Sequence, residues 1–341
     1  MPEYAKNQSA GFKNAIERVA IVGAGGTVGS YIVAALLETG KHTVTAISRK
    51  DSSNSNKLPN SVLIALVDYD DEATIVASLQ GQQFLIITMA PTAPRDTHSK
   101  LVQAAAKAGI PYIMPNNYAG DIEQVKLGED MMLGPVAKAG REEIERLGMQ
   151  WITVCCGFWY DYSLAGGESR LGFDFDRQSL TIYDDGNTKN SLSTLSQVGR
   201  AVARVLSLKH LPDDENDKSL TLFGWLNKPI YVSSFVVSQK EIFESVKRVT
   251  GTSDSDWTVT YEDTKKRYED GLALVKRGNM AGFSKLLYAR GFYPDNPSDC
   301  SAKAKAQNEL LGLPKESLDQ ATQVGIDLVK KLQQRPERMA A

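Results

Sequence analysis
The stretch Val19-Ala-Ile-Val-Gly23-Ala-Gly25-Gly26-Thr27-Val28-Gly29 constrains the fold of this chain more than any other. Residues 19–22 are apolar, mostly β-branched, and stop at a glycine, which reads as a short strand. Residues 28–38 read as a helix, with Gly40 placed to end it. Glycines between a strand and a helix are the context in which a dinucleotide fingerprint has meaning. Glycine permits the tight turn, lets the backbone approach a pyrophosphate and lets helix and strand pack closely. The helix N-terminus adds free N–H groups and a partial positive charge. Gly23, Gly25, Gly26, Thr27, Val28 and Gly29 are therefore the expected phosphate-binding residues.

The rhythm continues beyond the turn. Strands are expected over 43–48, 62–67, 84–89, 112–114 and 151–155, and helices over 72–79, 97–107 and 135–147. Asp70 or Asp71 caps the helix over 72–79, and Gly81 and Gly109 stop two of the helices. Residues 51–60 read as a polar loop. Strands that are apolar throughout belong to sheets covered on both faces. The repeated βα units predict an α/β fold, a Rossmann-type doubly wound parallel sheet.

After about residue 157 the pattern changes. Strands are expected over 179–183 and 219–223, with a helix over 197–206 between them and a charged loop over 212–218. An amphipathic helix over 238–249 carries Ile242, Val246 and Val249 on one face. Further helices are expected over 263–280 and 314–332. The reading is a dinucleotide-binding domain over 15–156, with sheet additions up to about 223. A smaller, mostly helical cap over 157–335 is partly interleaved with it. Residues 1–14 and the last ten or so read as loose.

Composition narrows the classes. The 341 residues include 39 Lys plus Arg against 41 Asp plus Glu, a net charge of −2. A nucleic-acid binder would carry a basic excess, so no nucleic-acid partner is expected. Three cysteines exclude a disulfide scaffold, and a reducing cytoplasm is the simplest location. Residues 19–37 carry no charge, but the clustered glycines split that run into a strand and a helix, so no membrane partner is expected. No His, Cys or Asp cluster has metal spacing, and no metal is expected.

The end of the second strand selects the cofactor. An acidic residue there would bond the ribose 2′-hydroxyl of NAD. This chain has Ser48-Arg49-Lys50 instead, a hydroxyl and two cations that suit the 2′-phosphate of NADP(H). The loop after the fourth strand, Thr88-Met89-Ala90-Pro91-Thr92, passes near the nicotinamide by the rule that ligands sit at the carboxyl ends of strands.

In this order and spacing the motifs resemble the NmrA-like and isoflavone reductase-like group of atypical short-chain dehydrogenases. Gly23-x-x-Gly26-x-x-Gly29 matches its glycine turn. Tyr112-Ile-Met-Pro115-Asn116-Asn117-Tyr118-Ala-Gly120 resembles its stretch after the fifth strand, with Asn116 and Asn117 in place of the group's serine and glutamate. Val154-Cys-Cys-Gly-Phe158-Trp159-Tyr160 resembles its pocket-lining segment, and residues 237–251 its C-terminal region. The resemblance spans roughly residues 17–335. It implies that Lys138 is the catalytic lysine. It also implies that Pro115 and Asn116 adjoin the cofactor and that Asn117 and Tyr118 shape the substrate pocket.

Lys138 has three roles open to it: bonding the nicotinamide ribose, orienting the substrate, or acting as general acid through a water. Tyr261-x-x-x-Lys265 has the spacing of a short-chain dehydrogenase pair but falls about a hundred residues too late, so it reads as coincidence. His98 stands at the start of a helix, and Cys155 and Cys156 have no basic partner in the sequence. Phe158, Trp159, Tyr160 and Tyr162 either face the cleft, as flat surfaces for an aromatic substrate, or face inward as core. The expected activity is an NADPH-dependent reduction of a small aromatic or phenolic molecule at a conjugated C=C, C=O or benzylic carbon. That places the chain in secondary metabolism, as a monomer or homodimer. The alternative is a non-catalytic NADP(H) sensor acting on a protein partner.

Overall fold
The computed structural model describes residues 3–50, 58–90, 93–295 and 298–333. Most of the polar loop expected over 51–60, together with Pro91, Thr92 and the two chain ends, lies outside the described residues. The chain begins with β1 (Arg18–Val22), α1 (Thr27–Glu38), β2 (Thr43–Arg49), β3 (Leu63–Val67), α2 (Glu72–Leu79), β4 (Phe84–Ile87), α3 (Thr97–Lys107), β5 (Tyr112–Met114) and β6 (Tyr118–Ala119). There follow α4 (Val125–Asp130), α5 (Gly134–Arg146), β7 (Gln150–Cys155), β8 (Phe158–Trp159), α6 (Tyr160–Leu164), β9 (Phe173–Asp174), β10 (Ser179–Tyr183), β11 (Lys189–Ser193) and α7 (Leu195–Leu206). The last elements are β12 (Lys228–Tyr231), β13 (Phe235–Ser238), α8 (Gln239–Thr250), β14 (Thr258–Glu262), α9 (Thr264–Lys276), α10 (Ala281–Gly291), α11 (Ser301–Leu310) and α12 (Leu318–Gln333).

The chain divides into two compact units. The first takes the chain up to Tyr118, then Val136–Val154 and Val198–Ile230. Its sheet runs in the order β12-β7-β5-β4-β1-β2-β3, with β6 paired to β7. The pairs β3–β2, β2–β1, β1–β4, β4–β5 and β5–β7 are parallel. Strand order reverses between β1 and β4, the topological switch point at which ligands bind in such sheets. Right-handed crossovers put α1 on one face and α2, α3 and α5 on the other. The helices meet accordingly. Ser99 of α3 donates to Glu143 of α5 at 2.6 Å, and Lys107 of α3 pairs with Glu72 of α2 at 2.5 Å. Gly199 of α7 lies so near α1 that a Cβ there would stand 2.5 Å from the Tyr31 carbonyl.

Local chemistry explains the boundaries. Asp71 caps α2 by accepting from the Ala73 N–H, and Gly40, Gly81 and Gly109 all take positive φ beyond helix ends. The central strands β4 and β5 are buried throughout, as apolar runs in a covered sheet should be. The edge strand β3 departs from that rule, because Leu63, Ile64 and Leu66 are exposed. An edge strand has a neighbour on one side only.

The strand expected over 219–223 is corrected. Residues Leu222–Trp225 form a short 3-10 turn that buries Leu222 and Trp225, three positions apart. The strand of this region is β12, which contains Pro229. Proline lacks an N–H to donate and is confined to sheet edges, where β12 lies.

The second unit takes Ala119–Pro135, Cys155–Gln197 and the chain from Tyr231 onward. It is rich in helix, and it also carries two three-stranded sheets, β14-β10-β9 and β13-β11-β8. Its core gathers Tyr160, Phe173, Tyr183, Phe243, Trp257 and Phe292. Ser238 and Glu241 form a capping box at the start of α8, and Gly251 ends it with φ of +69°. The helix expected over 263–280 stops at Lys276, because Gly278 takes positive φ. Between it and α12 come two helices absent from the sequence reading, α10 and α11. Among the described residues no helix is long and apolar enough to cross a membrane.

Candidate functional site
The glycine turn is built by close contacts from β4. Gly23 takes φ of +77°, and a Cβ there would stand 2.0 Å from the Thr88 carbonyl. The Thr88 N–H donates to Val22 O at 3.0 Å, and its hydroxyl lies 2.8 Å from the same oxygen and 3.1 Å from Gly23 O. A Cβ on Gly29 would stand 2.2 Å from Gly23 O. The turn therefore admits no side chain at either position. The Gly26 N–H donates to Gly23 O at 2.8 Å, and Gly26 is the N-cap of α1, with no side chain capping the helix. The first N–H groups of α1 are thus left for an anion. Val28 is buried and Thr27 exposed, so Val28 offers only its backbone.

Thr88 acts here as a positioning residue, with its hydroxyl turned into the glycine turn. Met89 and Asn116 carry the clamp onward to β5. The Met89 N–H donates to Asn116 Oδ1 at 3.1 Å, and Asn116 Nδ2 donates to Met89 O at 3.2 Å. Ala90 is exposed and Pro115 buried. Asn117 is pinned through its backbone: its carbonyl accepts from Thr153 Oγ1 at 2.8 Å and from the Val154 N–H at 3.4 Å. Its Nδ2 is buried with no hydrogen-bond partner among the described residues. Tyr118 is buried as well.

Ser48 is half-buried at the end of β2, and Arg49 and Lys50 are exposed. Burial pushes the Tyr69 phenol up, and the Arg49 charge opposes that push.

Lys138 lies on α5, two residues before Gly140. A Cβ on Gly140 would stand 3.0 Å from the His98 ring, so that side of α5 faces α3. Two residues are about 200° around a helix, so Lys138 points away from α3. Its side chain is 69% exposed and its ammonium lies 3.7 Å from Glu142. No hydrogen bond joins it to the turn, to Met89 or to Asn116 among the described residues. His98 belongs to the α3–α5 contact, and burial pushes its imidazole below the usual range.

The aromatic group, all in the second unit, divides. Tyr160 is fully buried. Its hydroxyl is 2.5 Å from Thr322 Oγ1 and its ring meets Phe235 edge-on, so it has no surface for a substrate and belongs to the core. Phe158 stacks on Tyr288 with ring centroids 4.3 Å apart and packs against Gly291. Trp159 and Tyr162 are half-buried and meet edge-on at 5.5 Å.

Cys155 and Cys156 are buried. Burial raises both thiols, that of Cys156 to about 12, so neither is a ready nucleophile. Tyr261 is exposed on β14. Two groups have no place in the sequence reading. Asp161 is buried at the start of the second unit's chain segment, where burial raises its carboxyl to about 6. Arg170 stacks on Tyr162. No periodic pattern marks either. Among the described residues no group of three or more His, Cys, Asp or Glu is placed to hold a metal.

Comparison with known proteins joins this geometry to a chemistry. Residues 23–182 match the NAD(P)H-binding family model. The oxidoreductase aprR of Aspergillus flavus is 26% identical over 89% of this chain and 96% of its own length. The isoflavone reductase of Pisum sativum is 26% identical over 55% of this chain and 65% of its own. The chain is an NAD(P)H-binding oxidoreductase, similar to proteins of the isoflavone reductase-like kind. The fold agrees. The solved structure of AtPrR2 with NADP+ and (+)pinoresinol superposes with a TM-score of 0.71 at 18% identity, covering 92% of this chain and all of that one. The residues of this oxidoreductase fit the cofactor on their own terms, through a turn that a Cβ would fill and a helix N-terminus without a cap. The relatives named here are oxidoreductases, and the sensor alternative has no support.

Proposed function
We propose that this oxidoreductase uses NADPH to reduce a small aromatic or phenolic molecule at a conjugated C=C, C=O or benzylic carbon. The observation that carries the reading is the end of β2, where Ser48, Arg49 and Lys50 stand in place of an acidic residue, beside an uncapped glycine turn. Two exposed cations there favour a 2′-phosphate over a 2′-hydroxyl. The reduced nicotinamide, when bound, supplies the hydride.

The chain supplies position and a proton. The first N–H groups of α1, at Thr27, Val28 and Gly29, receive the pyrophosphate, over a turn that Gly23 and Gly26 keep tight. Thr88 holds the turn, and the Met89–Asn116 clamp sets the loop at the carboxyl end of β4. Lys138 delivers the proton or orients the acceptor, with its ammonium 3.7 Å from Glu142. The partly open pair Trp159 and Tyr162 offers flat faces to an aromatic ring. The aromatic character of the ligand named with AtPrR2 supports the same class.

Titration with NADPH and NADH, followed by addition of aromatic enones, quinones and phenolic ethers, tests the reading. NADPH is expected to bind more tightly than NADH and to be oxidised with at least one compound class. Equal binding of the two nucleotides would overturn the NADPH assignment. Tight binding with no oxidation across the panel would overturn the reductase.

A further inference from the structure
Arg170 is held in a way that an ordinary surface cation is not. Its Cζ lies 3.9 Å from the centroid of the Tyr162 ring, and Nη1 donates to the Tyr162 carbonyl at 2.8 Å. Its side chain crosses Gly166, where a Cβ would stand 2.0 Å from Cδ and 2.3 Å from Nε. The adjacent glycine is therefore what lets the guanidinium lie on the ring. Trp159 meets the same Tyr162 ring edge-on at 5.5 Å. Arg170 is also near Tyr288, whose phenol burial pushes up while the Arg170 charge opposes the push.

This fixed charge has no acid to answer it. Among the described residues no Asp or Glu pairs with Arg170. Glu168, two residues away, pairs instead with the fully buried Arg267, at 3.5 Å. The stacked face of the guanidinium rests on Tyr162, and one in-plane N–H is used on the carbonyl. The remaining in-plane donors form a fork that matches a carboxylate. A planar fork held by stacking loses little freedom when it binds.

We infer that Arg170, Tyr162 and Trp159 form an anion-binding aromatic subsite in the second unit, which takes an aromatic molecule bearing a carboxylate. The ring packs against the half-buried Trp159–Tyr162 pair and the carboxylate accepts the Arg170 fork. The inference rests on the reductase reading for its place in the reaction and names the substrate class as anionic aromatic.

The test is equilibrium binding of 4-hydroxycinnamate and its methyl ester to the full chain saturated with NADP+, followed by tryptophan fluorescence. The acid is expected to bind about tenfold to a hundredfold tighter than the ester, the range of one charge-assisted contact. In Arg170→Gln the ratio of acid to ester affinity is expected to fall to about one. Arg170→Lys, which keeps the charge but not the fork, is expected to keep part of it. A thermal melt of each variant separates loss of the site from loss of fold. Three results would overturn the subsite: equal affinity for acid and ester in the unmodified chain, an unchanged ratio in Arg170→Gln, or no binding of either probe. NADPH oxidation is read separately. Acid preference without turnover of any panel compound keeps the subsite and removes the reductase. Turnover of neutral aromatics without acid preference does the reverse.

Discussion

Asn116 and Met89 exchange two hydrogen bonds, side-chain amide to backbone amide, at 3.1 and 3.2 Å. The pair repeats the two-bond exchange of an antiparallel pair just past the ends of β4 and β5, where those strands have already stopped. It fixes the loop that follows Thr88, and Thr88 in turn fixes the glycine turn. The asparagine that departs from the family's pattern thus spends both halves of its amide on protein.

Asn116→Ala removes both bonds, and Asn116→Asp keeps the acceptor while setting a carboxylate against the Met89 carbonyl. Each lost bond is worth about 1 kcal/mol. NADPH affinity is expected to fall about fivefold to tenfold in either variant, with the Asp variant the weaker. A fluorescence titration checks this, and unchanged affinity in both would remove the clamp from the site.

Gly23→Ala puts a methyl 2.0 Å from a backbone carbonyl at φ of +77°. Backbone cannot yield as a flexible side chain can, and the conformation itself disfavours a β-carbon. The variant is expected to lose NADPH binding and about 2 kcal/mol or more of stability. Thr88→Val keeps the shape but loses the hydroxyl bond to Val22 O, and should cost about 1 kcal/mol in a denaturant melt.

Replacing Arg49 and Lys50 together by Gln removes the charge proposed for the 2′-phosphate. NADPH affinity is expected to fall about tenfold to a hundredfold, the range of one or two charge-assisted contacts, while NADH affinity stays level. A parallel loss for both nucleotides would sink the assignment.

Lys138→Met removes the proposed proton donor from an exposed site, so the fold should not suffer. A drop in kcat of about a hundredfold or more is expected, with NADPH affinity retained. Full turnover would release Lys138 from the mechanism.

Asp161 sets a pH dependence of stability. Burial raises its carboxyl from 3.8 to about 6, against the hydrogen bonds from the Tyr162 and Leu195 N–H groups. The folded state therefore binds this proton more tightly than the unfolded state. The group favours folding below about pH 4, loses that advantage as pH rises to about 6, and costs roughly 3 kcal/mol above it. Asp161→Asn keeps an acceptor for both N–H groups and carries no charge. It is expected to be more stable than the parent at pH 8 and to converge with it near pH 4 in matched thermal melts.

The first unit was the more legible because its signals are local. Strands such as 112–114 and helices such as 97–107 stand where their apolar runs and stop signals put them. The glycine turn was readable because a positive φ at Gly23 and the close approach at Gly29 leave few residue types able to serve. The second unit was less so. Its two small sheets pair β10 with β14 and β11 with β13 across long separations, and α10 has no strong apolar face.

The sequence by itself determined the α/β doubly wound sheet, the dinucleotide turn and the basic end of β2, since each depends on residue types within a few positions of one another. Only tertiary structure decided which aromatics are core and which are surface. Phe158, Trp159, Tyr160 and Tyr162 are near neighbours in the chain, yet Tyr160 is sealed against Phe235 and Thr322 while Tyr162 carries Arg170. The fates of Phe158 and Tyr160 depend on partners dozens to well over a hundred residues away, and no local pattern encodes a partner at that distance. The same holds for Asn116, whose role exists only because β4 and β5 end side by side.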